Sequence, residues 1–185
     1  DNTVIAFNTP VYFVRDLFYS DQEVYNSLLN DDGYQLFMPG LNPFKIKGRF
    51  KILIGDTGIP APTAESVHDV RQQWTKNRFE FEALFIRCGQ IANEALVALT
   101  SNKVELLGEL MNFNHHVLQA MTVSSPELDD LVSAARAAGA LGAKMSGGGR
   151  GGNMIALVND QVEKDVEKAL LDMGARQVIK SVLGS

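Results

Sequence analysis

A glycine-rich segment between two strand-like runs is the stretch best suited to binding an anion. Residues 142–158 read Gly-Ala-Lys-Met-Ser-Gly-Gly-Gly-Arg-Gly-Gly-Asn-Met-Ile-Ala-Leu-Val. Glycine is costly to order, so five glycines in positions 147–152 predict positive φ angles or a close approach of another group to the backbone. Successive N–H groups can converge on an anion there, and Ser146 and Arg150 would add a hydroxyl and a guanidinium. The alternative is a flexible hairpin turn.

Two well-known phosphate-binding motifs do not fit this segment. Gly147, Gly149 and Gly152 satisfy the pattern G-x-G-x-x-G. A dinucleotide-binding fingerprint opens a helix, however, whereas a strand pattern follows here. No Gly-Lys-Ser or Gly-Lys-Thr closes the segment as in a P-loop, so an anion site here would be of another kind.

A second candidate is the polar loop Gly55-Asp56-Thr57-Gly58, which is followed by prolines and Thr63. A loop that leaves a strand and enters the N-terminus of a helix can bind an anionic ligand through free N–H groups and hydroxyls. The alternative is that Asp56 only forms the turn and Thr63 only caps the helix.

The periodicity after residue 48 predicts the elements that would position these loops. Apolar spacing predicts one helix that starts at Thr63 and three more at about 77–99, 104–121 and 125–139. Strands are predicted at 50–54, 142–146, 153–158 and 176–182. Asp160 and Glu163 predict a capping box for a helix before the last strand. The order is that of an α+β, ferredoxin-like split βαβ sandwich, with helices on one face of an antiparallel sheet.

The N-terminal quarter has weaker signals. Residues 3–14 predict a strand hairpin, and residues 16–48 predict an irregular insertion with a short helix at 21–29. The chain opens with Asp-Asn and no Met, so we expect function to be divided between this piece and another. Residues 1–48 form a first segment. Residues 49–185 then form a separate C-terminal domain.

Composition excludes several classes of function. The 185 residues carry a formal net charge of −5, so no large basic surface for nucleic acid is expected. Cys88 is the only cysteine, and three scattered histidines add no zinc ligand set. The first residues lack the features of a signal peptide. We therefore expect a cytoplasmic protein with no membrane or nucleic-acid partner.

Three segments together resemble the GHMP kinases. The glycine-rich segment is similar to the third motif of that family, K-L-T/S-G-A-G-G-G-G before a strand. Residues 54–58 with Thr63 resemble the corresponding loop of its mevalonate kinases. Asp1-Asn2 resembles the G-x-D-N segment that supplies the catalytic aspartate. The resemblance covers nearly the whole chain except residues 16–48, and it matches the C-terminal portion of such a kinase.

The resemblance implies a role for each of these residues. Asp1 would be the catalytic residue that accepts or orients the proton of the substrate hydroxyl. The residues expected to line the pocket for mevalonate are Thr57, Thr63, Ser146 and Gly148. The residues expected at the ATP phosphates are Gly147, Gly149, Arg150, Gly151 and Gly152. Arg150 replaces a usual glycine of the motif, and Gly148 replaces the usual alanine.

The resemblance also implies partners outside the chain. The ATP loop and the Mg²⁺ ligands of the family lie in an N-terminal kinase domain, of which residues 1–48 would be the tail end, so this chain alone is expected to be inert. Apart from the resemblance, apolar faces of the helices could form a homodimer, although the sheet that they cover explains these faces equally well. Other members acting on phosphomevalonate, homoserine or a sugar, or the related mevalonate diphosphate decarboxylase, stay open as alternatives. So does a non-catalytic ferredoxin-like module for ligand binding or dimerisation.

Overall fold

The computed structural model describes residues 10–14, 40–61 and 63–184. The chain divides into two compact units, Asp1–Ile46 and Lys47–Ser185.

The first unit contains a small antiparallel sheet of strands β1 (Val11–Val14) and β2 (Gly40–Pro43), with Val11 opposite Pro43. The prediction of an irregular segment at residues 40–43 was therefore wrong. Gly40 and Pro43 read as turn residues, but they stand at the two ends of a short strand, where both are tolerated. The first strand of the hairpin predicted at 3–14 and the helix predicted at 21–29 lie outside the described residues.

The second unit combines one sheet with a set of helices. Its elements, in chain order, are β3 (Phe50–Asp56), α1 (Thr63–Lys76), α2 (Arg78–Thr100), α3 (Val104–Ala120), α4 (Pro126–Ala137), β4 (Gly142–Ser146), β5 (Asn153–Val158), α5 (Glu163–Asp172) and β6 (Gln177–Leu183). The strands predicted at 142–146 and 153–158 are confirmed at those bounds. In the described part of the chain, no helix has both the length and the apolar character needed to cross a membrane.

The sheet has the strand order β4-β5-β3-β6, and every neighbouring pair is antiparallel. Ile54 of β3 lies opposite Ile155 of β5 on one side and Ile179 of β6 on the other. The α+β class and the antiparallel sheet are thus confirmed. Helices α3, α4 and α5 pack against the strands, and α2 packs between α1 and α3.

The core lies between the central strands and helices α4 and α5. Leu53 and Met154, from β3 and β5, are almost fully buried. A Cβ atom on Gly55 would lie within 3.2 Å of Met154 and 3.6 Å of Leu170, so α5 packs directly on the backbone of β3. This packing fixes β3 beside β5, with Asp56 opposite Asn153. The loop after β3 and the turn before β5 must therefore lie at the same end of the sheet.

Helix α3 closes the outer edge of strand β4. A Cβ atom on Gly142 would overlap the carbonyl oxygen of Gly108, so the backbones of the strand and the helix touch. The side chain of Asn112 accepts a hydrogen bond of 3.0 Å from the N–H of Ala143. An edge strand leaves such groups unpaired, and α3 satisfies this one.

The capping box predicted from Asp160 and Glu163 is not formed. Both carboxylates pair with Lys51 of β3, and α5 begins only at Glu163. The turn before α5 is closed by Asn159, whose side chain accepts from the N–H groups of Gln161 and Val162. The ion pairs of Asp160 and Glu163 with Lys51 therefore replace the predicted capping box.

Candidate functional site

The two loops that the sequence singles out form one continuous surface. We call residues 147–152 the glycine turn. The N–H and the hydroxyl of Thr57 both donate to the carbonyl oxygen of Gly152, at 2.9 and 2.8 Å. In return, the N–H of Gly152 donates to the carbonyl oxygen of Ile59 at 2.9 Å. Segments 95 residues apart in the sequence are therefore joined at the end of the sheet.

The backbone of the glycine turn adopts the conformations that its composition predicts. The φ angles are +93° at Gly147, +80° at Gly149, +134° at Gly151 and +74° at Gly152. Arg150 also has a positive φ of +61°, which is uncommon for a residue with a side chain. The prediction of positive φ angles is confirmed, and it explains most of the glycines without reference to a ligand.

Neighbouring chain segments also approach the glycine turn closely. A Cβ atom on Gly149 would overlap the carbonyl oxygen of Val123, and one on Gly151 would lie 2.8 Å from that of Ile59. One on Gly148 would lie 2.8 Å from Oγ1 of Thr63. The turn is consequently packed on three sides rather than free. Gly147 is exposed, and a Cβ atom there would have nothing within 4 Å.

The peptide N–H groups of the turn divide into two sets. Arg150 donates to the carbonyl oxygen of Val123 at 2.9 Å, and Gly152 donates to Ile59. Within the described part of the chain, no acceptor contacts the N–H groups of Gly147, Gly148, Gly149 and Gly151. Buried or half-buried N–H groups normally have a partner. The three consecutive groups from Gly147 to Gly149 are therefore donors that the turn can offer to an anion.

Arg150 has a carboxylate partner. Its guanidinium pairs with Asp69 of α1, and this hydrogen bond, with the charge of Arg150, holds the pKa of the Asp69 carboxyl below its ordinary value. The pair ties the turn to the helix that follows the second loop. A guanidinium has five N–H donors, so the predicted contact of Arg150 with phosphate stays a prediction alongside this pair.

The hydroxyl of Thr57 is engaged within the protein, since it donates to Gly152 and accepts from the N–H of Ile59 at 3.2 Å. Asp56 accepts from the N–H of Gly58 at 2.8 Å and forms a turn, as the alternative interpretation states. Thr63 is exposed at the first position of α1, beside Gly148. Ser146 is half-buried at the end of β4, opposite Asn153. Asp1 lies outside the described residues.

Three contributors to this site were not predicted from the sequence, namely Asp69, the segment around Val123, and His115. His115 is only 2% exposed. Its Nδ1 accepts a hydrogen bond of 3.3 Å from the N–H of Met145. The available signal was its position four residues after the buried Met111, on the apolar stripe of α3.

The described residues of this site offer hydrogen-bond donors for an anion. No group of three or more His, Cys, Asp or Glu side chains in the described part of the chain could hold a metal ion. Asp56 and Asp69 are engaged by Gly58 and Arg150.

Residues 94–176 match the sequence profile of the family described as GHMP kinases C terminal. The chain belongs to the GHMP kinases. The matched region runs from the second half of α2 to the end of α5, so this GHMP kinase chain contains the glycine turn within the family region.

Two relatives among curated proteins share one name. The chain is 36% identical to "Mevalonate kinase" of Pyrococcus furiosus in an alignment of 152 residues that covers 75% of this chain and 45% of that protein. It is 34% identical to "Mevalonate kinase" of Saccharolobus solfataricus over 119 residues, 64% of this chain and 38% of that protein. The chain therefore spans less than half the length of the curated relatives it matches.

Solved structures of the same family are also similar. The L. major mevalonate kinase in complex with R-mevalonate has a TM-score of 0.74 and 32% identity, over 78% of this chain and 45% of that one. The Methanococcus jannaschii mevalonate kinase has a TM-score of 0.61 and 30% identity, over 74% and 40%. The Streptococcus pneumoniae phosphomevalonate kinase, at 21% identity and a TM-score of 0.73 over 99% and 55%, shares the fold.

Proposed function

We propose that this chain is the C-terminal part of a kinase that transfers the γ-phosphoryl group of ATP to the hydroxyl of mevalonate, a step in the synthesis of isoprenoid precursors. One observation carries the proposal. The glycine turn, with four N–H groups that have no acceptor among the described residues, lies against the Thr57–Ile59 segment and Thr63 in a chain whose relatives are named mevalonate kinase.

Phosphoryl transfer needs little covalent chemistry from the protein. It requires that the two reactants are placed in line and that the charge on the phosphoryl oxygens is balanced. The N–H groups of Gly148 and Gly149 would donate to an oxygen of the phosphate or of the substrate. Because the packed glycines hold these N–H groups in place before binding, little reorganisation is needed.

The N-terminus of α1 suits the acidic end of the substrate. Thr63 is the first residue of a helix of 14 residues, and the unpaired N–H groups of a first helical turn favour a carboxylate. Its hydroxyl lies beside Gly148, so one substrate molecule could touch both. The net charge of −5 does not oppose this, since the potential at a binding site is set locally.

Residues outside the described ranges would perform the remaining parts of the reaction. By its resemblance to the family, Asp1 would accept or orient the proton of the substrate hydroxyl. Mg²⁺ would be held by an N-terminal domain that also binds ATP, and the chain would be inert without it. We expect a cytoplasmic setting, and the sequence leaves the homodimer open.

The test uses the full-length protein that contains this chain. Its initial rates with ATP and Mg²⁺ are measured for mevalonate, phosphomevalonate, homoserine and galactose. We expect kcat/KM for mevalonate to exceed the others by at least about a hundredfold, because a site built around specific polar groups rejects analogues strongly. Preference for phosphomevalonate would replace the proposed substrate, and no transfer to any of the four would overturn the assignment.

A second arm of this test concerns Asp1. In the full-length enzyme, Asp1→Asn should lower turnover by at least about a hundredfold, the usual effect of losing a general base. The affinity for ATP should stay nearly unchanged. A variant with near-normal turnover would remove Asp1 from the mechanism.

A further inference from the structure

A chain of polar contacts, buried at His115 and Met145 and half-buried at Ser124 and Asp129, lies directly behind the glycine turn. Its members are Ser124, Asp129, His115 and the backbone N–H of Met145, and we call them the His115 relay. His115 is 2% exposed on α3, and it stands between β4 and the first turn of α4. None of these residues belongs to the proposed contacts with ATP or mevalonate.

The hydrogen-bond pattern fixes the state of the imidazole. Nδ1 accepts from the N–H of Met145 at 3.3 Å, so Nδ1 carries no proton. In the neutral ring the proton is then on Nε2. Nε2 lies 3.2 Å from Oδ1 of Asp129, without the alignment of a full hydrogen bond. The ring therefore has one end on β4 and the other facing a carboxylate of α4.

Asp129 extends the relay to the segment between α3 and α4. Its Oδ1 accepts from the hydroxyl of Ser124 at 2.5 Å. Ser124 directly follows Val123, whose carbonyl oxygen accepts from the N–H of Arg150 and backs onto Gly149. This end of the relay therefore lies next to Val123, which contacts Gly149 and Arg150 in the glycine turn.

The other end of the relay reaches the first half of the same turn. Met145 is the residue before Ser146, the last residue of β4, after which the turn begins. The outward N–H of Met145 is on the edge of the sheet, where it would otherwise lack a partner. His115 therefore connects the strand that enters the turn with the segment on which the turn rests.

We propose that His115 is a positioning residue of the enzyme, which sets the conformation of the glycine turn by holding β4 and the Val123–Ser124 segment at a fixed separation. The inference rests on the proposed function only in that it assumes that the turn contacts phosphate or substrate. His115 itself touches neither. A histidine that only fills the core would not need both nitrogens directed at specific partners.

The experiment compares variants of the full-length enzyme that keep different halves of the relay. His115→Asn retains an acceptor near the place of Nδ1 but cannot reach Asp129. His115→Gln can reach Asp129 but lacks the acceptor, and His115→Leu has neither. Asp129→Asn removes the charge at a partly exposed position. His116→Asn is the matched control, since His116 is the exposed neighbour.

Two readouts are needed, kcat/KM for phosphoryl transfer and hydrogen exchange of the amides of Met145 and Arg150. In His115→Leu we expect kcat/KM to fall by at least about tenfold and both amides to exchange at least tenfold faster. His115→Asn should keep the protection of Met145 and lose that of Arg150. His116→Asn should match the wild type in both readouts.

Three results would overturn the inference. The first is a folded His115→Leu enzyme with wild-type kcat/KM and wild-type exchange at Arg150. The second is full additivity of His115→Leu and Asp129→Asn in kcat/KM, because members of one network do not act independently. The third is a ¹⁵N spectrum that places the imidazole proton on Nδ1. If His115→Leu does not fold, the variants His115→Asn and Asp129→Asn and the ¹⁵N spectrum still test the inference.

Failure of the proposed function is distinguishable from failure of the relay. An enzyme that prefers another substrate would overturn the mevalonate assignment, while its kcat/KM for that substrate still reports on the turn. Hydrogen exchange and the imidazole tautomer do not depend on any substrate.

Discussion

The α-carbon of Gly149 lies so close to the carbonyl oxygen of Val123 that a Cβ atom at residue 149 would overlap this oxygen. The next residue, Arg150, donates its N–H to the same oxygen. A single carbonyl group therefore fixes the middle of the glycine turn. The glycine content of the turn follows from contacts with its own chain, and these contacts hold the free N–H groups in place.

Substituting Gly149 by Ala should damage both stability and activity. The new methyl group must displace the backbone at Val123, and φ of +80° is strained for alanine. We expect the unfolding free energy to fall by about 1–2 kcal/mol from the strained backbone and by about 1–3 kcal/mol more from the displaced carbonyl group. We expect kcat/KM to fall at least about tenfold. Chemical denaturation and steady-state kinetics of the full-length enzyme measure the two effects.

Gly147→Ala is the matched control for this substitution. Its φ of +93° is strained to a similar degree, but nothing lies within 4 Å of the added methyl group. We expect a cost of only about 1–2 kcal/mol from the backbone. Equal losses of stability in the two variants would show that the contact with Val123 is unimportant.

The hydroxyl of Thr57 should contribute to stability through its bond to Gly152. Thr57→Val removes the donor while keeping the shape, and it should cost about 1 kcal/mol, the usual net value of one hydrogen bond. Thr57→Ser keeps the hydroxyl and should cost less. The midpoints of thermal unfolding of the two variants provide the comparison. A Thr57→Val enzyme as stable as Thr57→Ser would mean that the two loops are held together by other contacts.

The role of Arg150 can be separated from that of its partner. Asp69→Asn removes the ion pair but leaves the guanidinium, whereas Arg150→Met removes both the pair and any contact with phosphate. If Arg150 also contacts the nucleotide, Arg150→Met should lower kcat/KM at least about tenfold more than Asp69→Asn does, because hydrogen bonds to charged groups are strong. Equal kinetic effects would confine Arg150 to holding the turn against α1.

Burial of His115 should make the protein less stable in mild acid. Desolvation lowers the pKa of this imidazole from its ordinary value of 6.5, and the charge of Asp129 opposes the shift only partly. Below about pH 6.5 the unfolded chain takes up a proton that the folded chain resists, so stability is lost as the pH falls through that value. Above it, the neutral ring makes no pH-dependent contribution.

The corresponding measurement is the midpoint of denaturation between pH 7.5 and 5. His115→Gln should show a shallower fall in this range than the wild type, while His116→Asn should keep the wild-type slope. A wild-type slope in His115→Gln would assign the pH dependence to other groups.

The second unit was largely predictable from the sequence because its signals are local. Helical spacing located α2 and α3, and the cost of ordering glycine indicated the positive φ angles of residues 147–152. Only the resemblance to the GHMP kinases implied that Thr57 and the glycine turn belong to one site.

The features that were missed depend on contacts between distant residues. Asp160 is paired with Lys51, 109 residues away, and this contact replaced the capping box. Asp69 and His115 look unremarkable in the sequence until the fold places Arg150 and Met145 beside them. Strand β2 forms between Gly40 and Pro43 because its residues pair with those of β1.

The central claim is that the glycine turn lies against the reacting groups, and a crystal structure of the full-length enzyme with an ATP analogue and mevalonate tests it most directly. The quantity to measure is the distance from the amide nitrogens of Gly148 and Gly149 to the nearest oxygen of either ligand. We expect at least one distance of about 3 Å, that of a hydrogen bond. Distances above about 8 Å for both nitrogens, beyond the reach of even one bridging water, would contradict the account.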